Sequence, residues 1–314
     1  MPETAPLYGT DAAPVPEGAV AEWFTGADDA RLRAALFPAK GTVRGSVVLS
    51  GGRTEPIEKY YEVIGELNGR GFAVLAHDWR GQGLSQRLLP DRLRGHASGA
   101  SDFVADYAAL IAAFETRLPK PWLAVGHSMG GCLTALVLSR GERRFAGAVL
   151  SAPMLGLYTT PIPPPLARLL AGALTLIGVG GGSTPGGDAA SFETNILTHD
   201  PRRYARNVGM VAAHPDLALG APTWGWLAFA FSAMHELQTG AGVPKVEIPV
   251  TIVAAGEDRI IDNAGTRLVA SRFQKGRYVE AAGSFHEVLQ ETDEIRTVFW
   301  REFDALAADV APAR

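Results

Sequence analysis

The sequence predicts an α/β fold: a mostly parallel central sheet, helices on both faces, and a helical segment inserted late in the chain. Three observations predict it. Short apolar runs bounded by Gly, Asp and Pro recur at 46–50, 72–77, 122–125, 147–151 and 250–254, as strands buried on both faces require. Helical patterns at 57–68, 103–117 and 129–139 lie between several of them, and strand–helix alternation is the signature of parallel β-α-β units. The alternation breaks between Ala152 and Pro244 and resumes at residue 250, so the chain reads as one sheet domain interrupted by an insertion.

Residues 1–18 carry Glu3, Asp11, Glu17 and four prolines, with no cationic start and no apolar run. They lack the features of an export signal and are expected to form a flexible arm on a cytoplasmic protein. Residues 22–37 are predicted to add an antiparallel hairpin ahead of the parallel strands. The insertion, 152–244, is rich in Pro and Gly (161–165, 178–182, 186–187) and has helical patterns at 166–176 and 201–213, the expectation being a helical cap. Residues 277–280 are the last strand candidate, and spaced apolar residues over 288–306 predict a closing helix. The core is thus assigned to 19–151 and 245–314, and no internal repeat is present.

Composition removes several functions. The chain has 314 residues, 47% hydrophobic and 20% charged, which suits a globular protein able to bury a full core. A net charge of −4 gives no basic field for nucleic acid. Cys132 is the single cysteine, so no internal disulfide forms, in keeping with a reducing compartment. Mean hydropathy is slightly positive at +0.07, yet the longest apolar stretches, 169–179 and 224–234, have 11 residues each. A bilayer span needs about 20.

The strongest chemical signal is Gly126-His127-Ser128-Met129-Gly130-Gly131, following an apolar strand and opening a helix. A serine on that tight strand-to-helix turn stands above the sheet at a helix N-terminus, with Gly126 and Gly130 leaving room where side chains would collide. Without strand and helix around it, Gly-x-Ser-x-Gly is short enough to be accidental in a chain with 36 glycines. Serine needs a base and an orienting acid, in the order Ser, acid, His for this fold. His199, His214 and His235 fall inside the insertion, whereas His286 follows the last strand on a Gly283-Ser284-Phe285 loop. Asp258 caps the strand at 250–254 after a Gly256 turn, with Glu257 and Asp262 expected at the surface or capping a helix. A tetrahedral intermediate needs two donors, expected from the Met129 and Arg53 backbone N–H groups, with Gly51 and Gly52 permitting close approach. Activity is expected to fall as His286 protonates, at about pH 6 to 7 from the ordinary imidazole value.

These motifs carry a resemblance. With Gly51-Gly52-Arg53-Thr54-Glu55, Asp78-Trp79-Arg80-Gly81-Gln82-Gly83-Leu84-Ser85, Gly256-Glu257-Asp258-Arg259 and Phe285-His286-Glu287, the chain resembles the lysophospholipase and monoacylglycerol lipase branch of the α/β-hydrolases. In the insertion, Asp200-Pro201-Arg202-Arg203-Tyr204 and residues 219–226 are similar to bacterial proteins called lysophospholipases. The resemblance spans about residues 22 to 304. It implies Ser128, Asp258 and His286 as a catalytic triad and a serine hydrolase that cleaves carboxylic esters with an apolar acyl group through an acyl-enzyme. The alternatives are a general carboxylesterase or thioesterase and a non-catalytic ligand-binding homologue. One departure is Gly51-Gly52 where many lipases of the branch have His-Gly.

Gly52, His127, Trp224, Trp226 and Phe285 are the expected substrate contacts. The apolar residues Leu166, Leu169, Leu170, Leu174, Leu176, Ile177, Leu227, Phe229 and Phe231 of the insertion would either wall an acyl site or pack the cap onto the core. Arg168, Arg202, Arg203 and Arg206 are read as solvated, or as contacts for phosphate or an anionic membrane surface. His235-Glu236 and His286-Glu287 begin a zinc-helix pattern, but Thr239 and Gln290 stand where its second histidine belongs. No metal or cofactor is expected. The expected partners are a small-molecule or lipid ester and peripheral contact with membrane lipid.

Overall fold

A computed structural model describes residues 3–159, 161–185 and 191–313. Gly186 and Gly187, part of the predicted glycine-rich stretch, lie outside the described residues. Eight strands form one sheet in the order β1-β2-β4-β3-β5-β6-β7-β8. β1 (Val20–Thr25) and β2 (Arg31–Phe37) make the expected antiparallel hairpin, and β2 runs antiparallel to β4 (Phe72–His77). From β4 onward every pairing is parallel, through β3 (Gly45–Ser50), β5 (Trp122–His127), β6 (Phe145–Ser151), β7 (Val250–Ala255) and β8 (Gly276–Ala281).

The two-residue period of these strands sorts their side chains into two cores. Val47, Leu49, Leu123, Val125 and Val149 face α1 (Tyr61–Gly69) and α8 (Asp293–Val310). Val48, Ala124, Ala148 and Leu150 face α2 (Ala100–Phe114) and α3 (Met129–Ser139). Burial on both faces explains why these strands read as unbroken apolar runs.

Between β6 and β7, which are neighbours in the sheet, the chain leaves to form α4 (Pro164–Leu176), α5 (Pro201–Ala213) and α6 (Trp224–Thr239). α7 (Asn263–Ala270) then links β7 to β8. The apolar residues of this segment separate sharply. Trp226, Phe229 and Phe231 of α6 join the core, packing beside Phe103 and Met129. On α4 the side chains toward the protein are Ala167 and Ala171, while Leu166, Leu169, Leu176 and Ile177 are 55%, 69%, 88% and 71% exposed. Those four leucine and isoleucine residues do not wall an internal acyl site.

The N-terminal segment also differs from the flexible arm expected. Trp23 N–H donates to Glu3 O and Ala5 N–H to Ala21 O, extending the hairpin edge. Further on, Tyr61 Oη donates to Tyr8 O at 2.8 Å, and the Tyr8 ring stacks on His214 at 4.2 Å. Its prolines exclude regular structure, but backbone hydrogen bonds and the burial of Ala5 and Ala13 tie it down.

Candidate active site

β5 delivers Ser128 and α3 carries the chain away, so the serine occupies a one-residue corner. Its backbone sits at φ 50°, ψ −117°, a conformation a side-chain-bearing residue adopts only when its surroundings enforce it. The enforcement is visible. Ser128 N–H donates to Ser151 O at 3.1 Å, and Ser128 O accepts from Met154 N–H at 2.9 Å. The corner also requires glycines. A Cβ on Gly126 would stand 2.8 Å from Gly131 Cα, and one on Gly130 would strike the Ser50 and Gly51 carbonyl oxygens.

His286 sits on the loop after β8, and Asp258 on the loop after β7. The structure brings both to Ser128 across 158 residues of chain: Ser128 Oγ lies 2.9 Å from His286 Nε2, and His286 Nδ1 lies 2.8 Å from Asp258 Oδ2. Asp258 Oδ1 accepts from the Ile260 and Ile261 N–H groups at 2.8 and 2.9 Å, which fixes the carboxylate plane. Burial disfavours ionisation of Asp258, but His286 and those two amides outweigh it and hold the carboxyl below its usual range. Burial likewise opposes charging His286, yet the bond and charge of Asp258, with Glu287 and Glu55 behind it, raise its pKa above the ordinary imidazole value. Of the other candidate acids, Glu257 is exposed and Asp262 caps α7 by accepting from Ala264 N–H at 2.9 Å.

The loop after β3 is gripped by its carbonyls. Trp79 Nε1 donates to Gly51 O at 2.9 Å and Gln82 Nε2 to Gly52 O at 2.7 Å, both from the Asp78–Ser85 turn. That turn is itself pinned by Asp78, whose carboxylate accepts from Arg33, Ile57 and Leu84. Gly52 N–H is taken by the Glu55 carboxylate. Among the described residues Arg53 N–H makes no such bond, and Met129 N–H, in the first turn of α3, has no helical acceptor. These are the two amides expected to serve as oxyanion donors: Met129 follows Ser128 in the chain, and Arg53 follows Gly52, which lies against the serine.

Sequence reasoning missed the charged frame beneath this loop. Glu55 Oε1 accepts from Lys59 Nζ at 2.7 Å, Lys59 also reaches Glu287, and Tyr60 Oη donates to Glu55 at 2.5 Å. Burial pushes the Glu55 pKa up, but Lys59 and the hydrogen bonds prevail and hold it down to about 2. The signal was present as the Glu55-x-x-x-Lys59 spacing, one turn of helix apart. Glu291 is a second missed residue: it accepts from Phe285 N–H and faces His199 Nδ1, both at 2.8 Å, steadying the His286 loop.

The expected substrate contacts fall differently. Gly52 lies against Ser128, a Cβ there coming 3.1 Å from the serine Cβ. Trp226 closes over Met129 from α6. His127 instead turns inward, with Nδ1 3.1 Å from Ser151 O and its ring 4.9 Å from that of His286. Burial lowers its pKa and keeps it neutral beside Glu55. Phe285 stacks on His199 at 3.8 Å, and Trp224 N–H is tied to Gly182 O. Of the arginines, Arg203 pairs with Glu62, Asp200 and Asp293 and Arg206 with Glu62, while Arg168 and Arg202 are exposed.

The enclosed space bounded by Met129, Phe103 and Trp226 is about 10 Å³, room for roughly one water. A cavity of about 610 Å³ lies away from Ser128, between α1, α5 and α8, where Glu62, Glu66 and Asp293 pair with Arg203, Arg206 and Arg296.

Comparison with known proteins gives the following. Residues 41–293 match the family described as serine aminopeptidase, S33. The chain is 35% identical over 292 residues to lysophospholipase L2 of Escherichia coli, covering 88% of this chain and 83% of that protein. It is 25% identical to the monoacylglycerol lipase of Mycolicibacterium smegmatis, over 86% of this chain and 91% of that one. A soluble variant of the Saccharomyces cerevisiae monoglyceride lipase, solved with a substrate analogue, superposes with a TM-score of 0.74 at 19% identity, over 96% of this chain and 98% of the other. At that identity the likeness establishes the α/β-hydrolase fold.

Proposed function

The chain belongs to the serine aminopeptidase S33 family of hydrolases, and from that premise we propose that it is a carboxylic ester hydrolase acting on substrates with an apolar acyl group. The observation that carries the reading is the unbroken line Ser128 Oγ–His286 Nε2–Asp258 Oδ2, at 2.9 and 2.8 Å, on a strained nucleophile corner. His286 takes the Ser128 proton as Oγ attacks the ester carbonyl. The Arg53 and Met129 amides receive the oxyanion, in a site whose carbonyls Trp79 and Gln82 already hold. Collapse expels the alcohol, protonated by the His286 imidazolium, and leaves an acyl-serine. His286 then takes a proton from water, the hydroxide attacks the acyl carbon, and the acid departs as His286 returns the proton to Ser128.

An ester is favoured over an aminopeptide by the neighbouring charges. A substrate α-ammonium needs a free carboxylate near the reacting centre, and Glu55 and Glu287 are both engaged by Lys59. The names of the relatives point the same way, toward lysophospholipids or monoacylglycerols.

In this reading residues 152–244 act as a cap, which must shift to admit an acyl chain beside Met129. The exposed leucine and isoleucine row of α4 is assigned to a lipid surface, from which the substrate enters. No helix among the described residues is long and apolar enough to cross a membrane.

The test is Ser128→Ala against p-nitrophenyl esters, a monoacylglycerol, a lysophospholipid and an amino-acid p-nitroanilide. Ester turnover that vanishes in the variant, with fluorophosphonate labelling of Ser128 in the parent, supports the reading. Retained turnover in Ser128→Ala, or a preference for the anilide, overturns it.

A further inference from the structure

Around the Ser128 site, charged side chains are matched almost throughout. Arg80 is held by Asp106, Arg33 by Glu58 and Asp78, and Arg203 by three carboxylates. Among the described residues, two part-buried arginines break the pattern. Arg53 and Arg87 each have an Nε sealed from solvent without a hydrogen-bond partner, and among the described residues neither has a carboxylate within ion-pair distance. Burial lowers both pKa values, to about 10.

The two differ in what else they hold. Arg87 is spent on backbone carbonyls, donating to Gly81 O, Gly83 O, Ala218 O and Asp216 O. Arg53 donates to a single carbonyl, that of Gly220, and otherwise lies over the Trp226 ring, its carbon 5.5 Å from the centroid. Its planar group packs against Gly95, where a Cβ would come within 2.7 Å of Nη2. Arg87 is a tether between the Asp78–Ser85 turn and the inserted segment. Arg53 is a part-buried cation with donors to spare.

Position gives the spare donors a meaning. Arg53 adjoins Gly52, which lies against Ser128, and its own N–H is one of the two amides proposed as oxyanion donors. Its guanidinium lies between the β3 loop and residues 220–226 of the insertion, against Gly95 and Trp226, which with Met129 line the small space next to the serine. In a lysophospholipid the phosphate is carried on the same glycerol as the ester, a few bonds beyond the scissile oxygen. A guanidinium withdrawn from water, with no anion of its own, matches a phosphate bidentately and gains more from it than a solvated cation would. We propose that the Arg53 side chain is the phosphate-recognising group of this site and selects anionic lysophospholipids over uncharged monoacylglycerols. The inference rests on the ester-hydrolase reading above. It adds a specificity-determining residue to it: on binding, the phosphate replaces the Gly220 carbonyl at Arg53, while the backbone N–H keeps its separate role.

The test uses binding, which needs no turnover. In the Ser128→Ala protein, calorimetry gives the Kd of a lysophosphatidate and of the monoacylglycerol with the same acyl chain, both as monomers in solution. The readout is the ratio of the two affinities. Arg53→Gln is expected to lower the preference for the lysophosphatidate by roughly ten- to hundred-fold, the loss of a charge-assisted hydrogen-bonded pair. Arg53→Lys, which keeps the charge but not the fork, should fall between. Arg87→Gln, which loosens the insertion without touching the phosphate, should leave the ratio as it is.

The proposal is overturned if Arg53→Gln weakens both ligands alike, which would make Arg53 a second tether, or if Arg87→Gln shifts the ratio as much. It is also overturned if inorganic phosphate alone binds as tightly as the lysophosphatidate, which would mark a free-phosphate site. A parent protein that hydrolyses neither ester would refute the ester-hydrolase reading, and the binding ratio would still decide the role of Arg53.

Discussion

Replacing Asp258 by Asn changes one atom in the line that would drive catalysis. Asp258 Oδ1 keeps its bonds from the Ile260 and Ile261 amides, so the side chain stays in place. The group 2.8 Å from His286 Nδ1 becomes an NH2 donor. Nδ1 must then accept, which moves the imidazole proton to Nε2, facing Ser128 Oγ at 2.9 Å. In that tautomer His286 cannot take the serine proton. The expected loss in kcat/KM is about 10⁴-fold, close to 5.5 kcal/mol of transition-state stabilisation. The pH profile carries independent information. In the parent, Asp258 is the main reason that His286 titrates above its ordinary value despite burial. Activity needs the neutral ring, so the acid limb should lie above the ordinary imidazole value of about 6.5. In Asp258→Asn only burial and the more distant Glu287 and Glu55 remain, and the limb of the residual activity should move to lower pH. Initial rates on a p-nitrophenyl ester from pH 5 to 9, with matched circular dichroism, measure both. A variant that keeps more than a tenth of parental kcat/KM with an unmoved acid limb would refute the assignment of Asp258.

Three further outcomes follow from the same geometry. Glu55→Gln replaces the Glu55 oxygen that accepts from Lys59 by an NH2 donor and removes one of that lysine's two carboxylates, and should lower unfolding free energy by about 1–3 kcal/mol in urea at pH 7. Because the Glu55 pKa is depressed, its stabilisation is present above the unfolded carboxylate value and is lost as pH falls toward about 2. The stability of Glu55→Gln should therefore decline less steeply in acid than that of the parent. Gly130→Ala drives a methyl into the Ser50 and Gly51 carbonyls and should cost about 1–3 kcal/mol, read as a lowered Tm, together with lost fluorophosphonate labelling of Ser128. Leu169→Glu with Leu176→Glu places charge on the exposed face of α4 and should reduce sedimentation with phosphatidylglycerol vesicles several-fold; unchanged vesicle binding would reassign that face.

What the sequence made legible follows from how local each cause is. Buried parallel strands announce themselves as apolar runs, so β3 to β7 fall within a residue or two of expectation, and α5 begins and ends at the predicted positions 201 and 213. The alternation also predicted that the chain would leave the sheet after β6 and return at β7. That Ser128, Asp258 and His286 lie together was expected because each sits at a strand's end in a turn with its own residue pattern. α4 was misread because composition reports how many leucines a helix has and periodicity reports only that they share a face. Which face meets the protein is decided by α6, whose packing favours Ala167 and Ala171 over the larger residues. The N-terminal segment was misread for a related reason. Its hydrogen bonds are to β1 and to Tyr61, partners no local pattern can reveal.

The least legible feature is also the one on which precise chemistry depends. A backbone oxyanion donor has no side chain to identify it, and its aim is set by groups elsewhere in the chain. Here Trp79 and Gln82 hold the carbonyls of Gly51 and Gly52, and Glu55 takes the Gly52 amide. Asp78 anchors Trp79 and Gln82 in turn, through the buried ion pairs to Arg33 that also fasten β2. Each bond is worth only about a kcal/mol in stability. Their joint effect is to deny the loop any other orientation, and it is orientation that oxyanion stabilisation requires. On the proposed mechanism the buried charges would act on the reaction without touching the substrate. Asp78 and Glu55 would then be positioning residues, and their loss should appear in kcat on every ester alike. Loss of the Arg53 side chain should appear as a difference between substrates.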